Sequence, residues 1–561
     1  MSSPVAAGID VGNSTTEVVV GHLVDGRLEL LAAGRAPTRR GKGSPESLDG
    51  AAALLRRLER EHGIRVAVAV AAPLRPVVTA TVTVPEELPG TGRLRVVRAS
   101  AGTAGGDGVG VGRPHVLGAA VSGEDALVAV VPAGTGYLRA LELLAPLAES
   151  GRLAGVVLAD DEAVLVANRL AAKVPVVDEV DVEEAGRADL LAVEVSVGGR
   201  PLRALADPLR LAEMLRLAEG ELTDAAALGA LLLDATNAVV AVDGTPAAAA
   251  VNDRGWVEVS GAERVPLTVG ARLLREGPVG LASAYALPPA GTAYNVDDLW
   301  ALDLAAVAEQ VQARRGGVPG RPVSLASLRA DTPYADPAQP LRDRLGVPVH
   351  TVASEAAAAR RGALSTPGTT EATVVVDLGG GTVDTVSART PVVAAGGGEL
   401  LTVSVAALTG ISTAAAEHVK RGPAYRVDAP QVLLAEDGSR TFLDRPAARE
   451  AVGSLVVNGP AGLLPFHRTL APGEWRALRL RLKVDLVGGN VARAIRTLDL
   501  EPRTVVVVGG PAGDDEVLAA VSGALPKGTA VGRGNVGGTL GHRYAVAYGL
   551  LCARALDTTA P

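Results

Sequence analysis

The sequence predicts an α/β fold built from two related halves, with a second α/β domain inserted in the first half. Three observations carry this prediction. Val374-Val375-Val376-Asp377-Leu378-Gly379-Gly380-Gly381-Thr382-Val383-Asp384 reads as a buried strand, an acid, a glycine tip and a returning strand. The same grammar stands near the start, in Ala7-Gly8-Ile9-Asp10-Val11-Gly12-Asn13-Ser14-Thr15-Thr16-Glu17-Val18-Val19-Val20. Asp10 then matches Asp377, Gly12 matches Gly379 and Thr15 matches Thr382. Between the two hairpins, a βαβα pattern over residues 126–180 marks a separate α/β unit.

The hairpins point to chemistry as well as to fold. Glycine follows tight turns and leaves room for close approach. N–H groups around such a tip form an anion-binding concavity. A carboxylate beside it suits hydrated Mg²⁺ shared with phosphates. One such loop could be a tight hairpin that needs glycine only for geometry; two in separate halves suggest a pair gripping one ligand. Val505-Val506-Val507-Val508-Gly509-Gly510-Pro511-Ala512 adds a buried strand entering a Gly-Gly turn. Ala416-Glu417-His418-Val419-Lys420 is helical, and alone its Glu417 and Lys420 read as an i,i+3 surface pair.

Composition narrows the classes. The length of 561 residues suggests three or four domains. With 48% hydrophobic but 2% aromatic residues, Ala, Val and Leu must fill the core. A net charge of −8 argues against binding nucleic acid by phosphate neutralisation. The single cysteine, Cys552, excludes an intramolecular disulfide framework and fits a cytoplasmic protein. Met1-Ser2-Ser3-Pro4 shows no basic or apolar leader, and no apolar run spans a membrane; Ala225–Val242 is interrupted by Asp234 and Asn237. The seven histidines show no zinc-like spacing.

Along the chain, Ser47–His62 has helical apolar spacing and Arg65–Ala72 reads as a strand. Pro85–Arg98 is turn-rich. Ala101–Gly112 reads as a flexible or closely packed loop, because Gly108, Gly110 and Gly112 merely alternate without the strand–glycine–helix context of a dinucleotide fingerprint. Ala126–Val131 and Leu153–Leu158 are strands; Tyr137–Ser150 and Ala163–Leu170 are helices. Val296–Gln312 reads as a helix and Arg314–Arg321 as a linker. Val347–Val352 is a strand and Ala353–Leu364 a helix opened by Glu355, an acid that helix-dipole preference alone would also explain. Ala395-Gly396-Gly397-Gly398-Glu399 is a second glycine turn. Residues 425–480 look less regular, and Tyr544–Leu556 is an apolar helix placed under the Gly509-Gly510 turn.

These elements, in this order, resemble the actin, Hsp70 and sugar kinase superfamily. The resemblance implies an actin/Hsp70-like ATPase fold. It makes Gly12, Asn13, Ser14, Thr15, Gly379, Gly380, Gly381 and Thr382 phosphate-binding, Gly509 and Gly510 an adenosine loop, and Glu417 and Lys420 flanks of ribose and adenine. Asp10 and Asp377 would hold Mg²⁺ through water, and Asp384 or Glu355 would orient the attacking water. The opening Gly8–Ser14, Asp161–Leu170, Pro175–Val180, Thr366-Pro367-Gly368-Thr369-Thr370 and Gly532-Arg533-Gly534-Asn535-Val536 narrow this further. They are similar to the large subunit family of diol/glycerol dehydratase reactivating factors.

That family resemblance implies an inserted swivelling domain over 86–260, with actin-like parts at 1–85 and 261–561, the latter carrying a small insertion at 425–480. It implies a divalent ion, Mg²⁺ or Ca²⁺, at Thr103, Asp161 and Asp178, of which the two acids by themselves read as solvated loop acids. It implies ATP/ADP binding, a small (β) subunit in an α₂β₂ hetero-oligomer, and a coenzyme B12-dependent dehydratase as client, from which damaged cobalamin is released. No nucleic acid or membrane partner is expected. Alternatives at this stage are a small-molecule kinase, a nucleotide-switched scaffold or filament protein, and a reactivase for another B12 enzyme such as ethanolamine ammonia-lyase.

Overall fold

A computed structural model describes residues 4–24, 27–84, 93–100, 104–119, 123–197, 200–232, 235–243, 256–259, 264–276, 279, 282–285, 294–313 and 321–557. The chain divides into two compact units: Met1–Val82, Arg254–Ala313 and Val323–Pro561 form one, and Thr83–Asp253 with Arg314–Pro322 form the other.

The first unit contains the duplication that the repeated motif predicts. One sheet runs Val349–Thr351, Val68–Ala71, Ala6–Val11, Thr15–Val24, Arg27–Pro37. A second runs Ala530–Arg533, Thr504–Gly509, Val374–Leu378, Thr382–Val386, Pro391–Ala395. The two match position by position. In each, the motif strand pairs antiparallel with its hairpin partner and parallel with the strand on its other side. Continuous Val and Ala runs suit such doubly covered parallel strands.

Local signals explain the helices. Pro45–His62 starts at Ser44, whose hydroxyl accepts from the Ser47 N–H at 3.1 Å, and stops at Gly63 with φ 66°. Between these caps, Leu48, Ala51, Leu54, Leu55 and Leu58 are buried against the first sheet. The first turn of the C-terminal helix Ala545–Asp557 meets the strand entering the Gly509-Gly510 turn, with Ala545 and Tyr548 packed against Val506 and Val508. The helix also packs on the first sheet and on helix Glu355–Ala363, with Val546 and Leu550 against Val70, Ala358 and Ala359. Gly362 and Gly549 allow this close crossing, since a Cβ on either would strike the opposite helix backbone. His542, just before the helix, is what reaches the turn: its carbonyl accepts from the Gly509 N–H at 2.8 Å.

Two readings are corrected. Residues 296–312 are not one helix: Tyr294–Asp303 is a strand, and only Leu304–Gln310 is helical. Asp303 caps that helix by accepting from the Ala305 and Ala306 N–H groups. Residues 425–480 are regular. Five antiparallel strands between Tyr425 and His467 form their own sheet, followed by helix Pro472–Lys483. Residues 314–320 of the expected linker lie outside the described residues.

The second unit is a seven-stranded mixed sheet in the order Val176–Val177, Leu153–Leu158, Leu127–Val131, Gly108–Val116, Leu190–Val195, Asn237–Val242, Leu94–Ser100. The alternating glycines expected in a loop are therefore in a strand. A Cβ at Gly110 or Gly112 would strike the Ala154 or Ala126 carbonyl, so these two glycines mark one closely covered face. Among the described residues no single helix is long and apolar enough to cross a membrane.

A buried ion pair fixes the second glycine turn of the first unit. Arg493, fully buried, donates to both Asp298 oxygens at 2.8 and 2.7 Å. Asp298 Oδ2 also accepts from the Ala395 N–H, while Asn490 donates to the Ala395 and Gly396 carbonyls. Removing one member of a buried pair strands the other. Asp298→Ala is predicted to cost about 3–5 kcal/mol, read as a lower urea midpoint for this unit.

Candidate active site

Hairpin register sets the chemistry of the cleft. Asp10 stands opposite Glu17, and Asp377 stands opposite Asp384. Each tip is closed by the same bond, Gly12 N–H to Thr15 O at 3.1 Å and Gly379 N–H to Thr382 O at 2.9 Å. Four carboxylates thus come from two equivalent ladders.

The second tip is held from behind. The carbonyls of Gly379, Gly380 and Gly381 accept from the N–H groups of Gly398, Glu399 and Gly396 at 3.0, 2.8 and 2.7 Å. In a trans peptide the next N–H points the opposite way. The N–H groups of Gly380, Gly381 and Thr382 are therefore turned away from that support. Added Cβ atoms at Gly380 and Gly381 would collide with Ser14 and Asn13 of the first tip. The tips are joined by Glu399, which accepts from Ser14 Oγ at 2.7 Å and Asn13 Nδ2 at 3.4 Å.

One cavity of about 420 Å³ is lined by Asp10, Gly12, Asn13, Ser14, Thr15, Glu355, Asp377, Gly379, Gly380, Gly381, Thr382, Asp384, Glu417, Lys420, Gly509 and Gly510. These are all the residues expected to bind nucleotide or its cation in the first unit. Glu17, Lys42 and Arg543 line it too, and were not anticipated. Glu17 had a readable signal, since it follows Asp10 by the spacing that separates Asp384 from Asp377. Lys42 and Arg543 had none, because they come from segments with no motif.

The acids crowd one another. Burial raises Asp377 to about 7, with Glu355 and Glu17 adding repulsion. Burial and then Glu355 hold Asp10 and Asp384 well above their ordinary values. Lys42 donates to both Glu355 oxygens at 3.0 and 2.7 Å. Burial opposes its charge, but Glu355 and Asp10 hold its ammonium above the ordinary value. Glu17 accepts from Arg543 Nη1 at 3.2 Å and the Tyr544 N–H at 2.7 Å. Asp384 Oδ1 is buried without a hydrogen-bond partner among the described residues. An orphaned acceptor amid uncompensated acids fits a cation. A ring of acids lining one cavity suits a divalent ion held through its water shell.

On the far side, Lys420 Nζ donates to the Gly398 carbonyl at 2.8 Å and Thr402 Oγ1 at 2.7 Å, and pairs with Glu417 at 2.6 Å. Burial works against the Glu417 carboxylate, yet Lys420 brings it down to about 2. The pair is thus part of the cleft wall.

Comparison with known proteins agrees with this geometry. The family model described as diol dehydratase reactivase ATPase-like domain matches residues 290–554, and that described as DD-reactivating factor swiveling domain matches residues 96–248. A propanediol dehydratase-reactivating factor large subunit from Citrobacter freundii is 30% identical, covering 97% of this chain and 98% of that one. This chain belongs to the dehydratase-reactivating factor large-subunit family. Its counterpart from Salmonella typhimurium is 29% identical, covering 97% of this chain and 98% of its own. The solved structure of a glycerol dehydratase reactivase shares the fold, with a TM-score of 0.57 and 24% identity over 99% of this chain and 100% of that one.

In the swiveling domain of this family member, Asp178 is buried and its Oδ2 accepts from the Ala163 N–H at 2.8 Å. Burial and then Asp161 raise its pKa, the hydrogen bond from Ala163 opposing them. Asp161 is exposed beside it. Thr103 lies outside the described residues, although Gly105 bridges Val176 on the strand leading to Asp178.

Gly380→Ala is predicted to drive the tips apart and weaken ATP binding at least about tenfold, about 1.4 kcal/mol. Titration with a fluorescent ATP analogue measures this; unchanged affinity would show that the tips do not share one ligand.

Proposed function

We propose that this chain is the large subunit of a reactivating factor that hydrolyses ATP to release damaged cobalamin from a coenzyme B12-dependent diol or glycerol dehydratase. The observation that carries the reading is the paired hairpin register, Asp10 with Glu17 and Asp377 with Asp384, in a family member alignable end to end with named reactivating factors.

In this reading the tips at Gly12–Thr15 and Gly379–Thr382 bind the phosphates. Asp10 and Asp377 hold Mg²⁺ through its water shell. When bound, the cation supplies charge compensation for phosphates and acids together. Lys42, steadied by Glu355, brings positive charge to the reacting group. Both Glu355 oxygens are engaged by Lys42, so Asp384 is the better residue to orient the attacking water. Burial and then Glu355 raise its pKa, the direction a general base needs. Positioning and electrostatics then carry most of the catalysis. Gly509 and Gly510 face the adenosine, with Glu417 and Lys420 beside the ribose and adenine.

Hydrolysis would alter contacts across the cleft and swing the inserted domain. That motion would exchange a small subunit for a dehydratase subunit and open the way for the damaged cofactor. Asp161 and Asp178, with Thr103, would bind a second divalent ion, Mg²⁺ or Ca²⁺, to which the small subunit adds a carboxylate; hard oxygen donors suit either ion.

The test uses glycerol-inactivated dehydratase, the small subunit, adenosylcobalamin and MgATP. Recovery of dehydratase activity is expected with this chain, and a loss of at least about tenfold with Asp384→Asn. No recovery with the unaltered chain would remove the proposal.

A further inference from the structure

A second cavity, of about 530 Å³, shares no lining residue with the nucleotide cleft. It lies among helix Glu355–Ala363, the turn joining strands Thr382–Val386 and Pro391–Ala395, and helix Ala545–Asp557. Its volume falls within the range of small-molecule sites. Its charge is one-sided: Arg360, Arg361 and Arg389 line it, against the single acid Glu371, whose side chain is 88% exposed.

The guanidinium groups are poorly compensated. Arg360 donates to the Glu371 carbonyl at 2.6 Å and pairs with its carboxylate at 3.0 Å, but its Nε is buried with no partner among the described residues. Among the described residues, Arg361 and Arg389 make no ion pair, and both are exposed. Surface arginines are commonly just solvated. Here three of them border one concave space, and concavity focuses positive potential on whatever enters. Guanidinium forks match phosphate oxygens by paired hydrogen bonds. Two uncompensated cations match a dianion. The Tyr548 ring supplies a partly apolar wall on which the rest of a phosphate ester can lie.

We propose that this groove binds a phosphate-bearing small molecule at a site separate from the nucleotide cleft. Its walls continue into that cleft: the helix that carries Arg360 and Arg361 begins at Glu355, and the strand leading to Arg389 begins at Thr382.

Calorimetric titration of the full chain, saturated with MgADP, tests this with ribose 5-phosphate as the probe. Single-site binding is expected, weakened at least about tenfold by R361A/R389A, with ADP affinity unchanged. Both side chains are exposed, so that variant keeps its fold. Ribose, which lacks the dianion, is expected not to bind, and malonate, which lacks the sugar that would lie on Tyr548, is expected to bind more weakly. No binding of ribose 5-phosphate, equal binding by the double variant, or equal binding of malonate overturns the assignment.

Discussion

Five carboxylates share the floor of one cleft. Asp10, Glu17, Glu355, Asp377 and Asp384 come together with Lys42 among them, and Arg543 engages Glu17 from the side. Burial first, and then the like charge of Glu355, resists ionisation, which is why Asp10, Asp377 and Asp384 all sit above the usual carboxylate range. A fold optimised for stability alone would not gather them. The arrangement makes sense where a cation and a polyphosphate complete it, and strain of this kind is typical of functional sites.

The rest of the first unit holds these acids in place. Duplicated sheets deliver two acids each at matching ladder positions, so the cleft has an approximate twofold character. Behind the second tip, Asp298, Arg493 and Asn490 fix the glycine turn whose N–H groups hold the tip's carbonyls. Another buried network joins Arg479 and Lys483 to Glu436, Asp514 and Glu516. Glu436 stands in the turn just after strand Val432–Ala435 of the small antiparallel sheet, whereas Asp514 caps the helix that follows the Gly509-Gly510 turn. The small sheet is therefore tied by buried charge to the cleft wall.

Much of this was legible in the sequence. Strand, acid, glycine and returning strand form a local signal, and its repetition located both hairpins. The same offset of seven residues would have found Glu17, which otherwise read as an ordinary strand residue. Lys42 and Arg543 were illegible because tertiary packing alone brings them in. Residues 296–312 misled because the Ala-rich stretch after Asp303 lends its helical character to the preceding strand, although Asp303 itself is a readable cap. Gly108, Gly110 and Gly112 looked like a loop because a period of two in glycine resembles flexibility. At Gly110 and Gly112 it instead marks a strand face where a side chain would strike the Ala154 and Ala126 carbonyls. Even apolar runs fixed that the C-terminal helix is buried, but not against which surface.

Calorimetric titration of the chain with ATP, in Mg²⁺ and in excess chelator, tests the central claim most directly when Asp377→Asn is run beside the unaltered protein. The account predicts that tight binding requires Mg²⁺ and that this requirement falls at least about tenfold in the variant. Equal affinity in chelator, or a variant that keeps the full Mg²⁺ dependence, would contradict it.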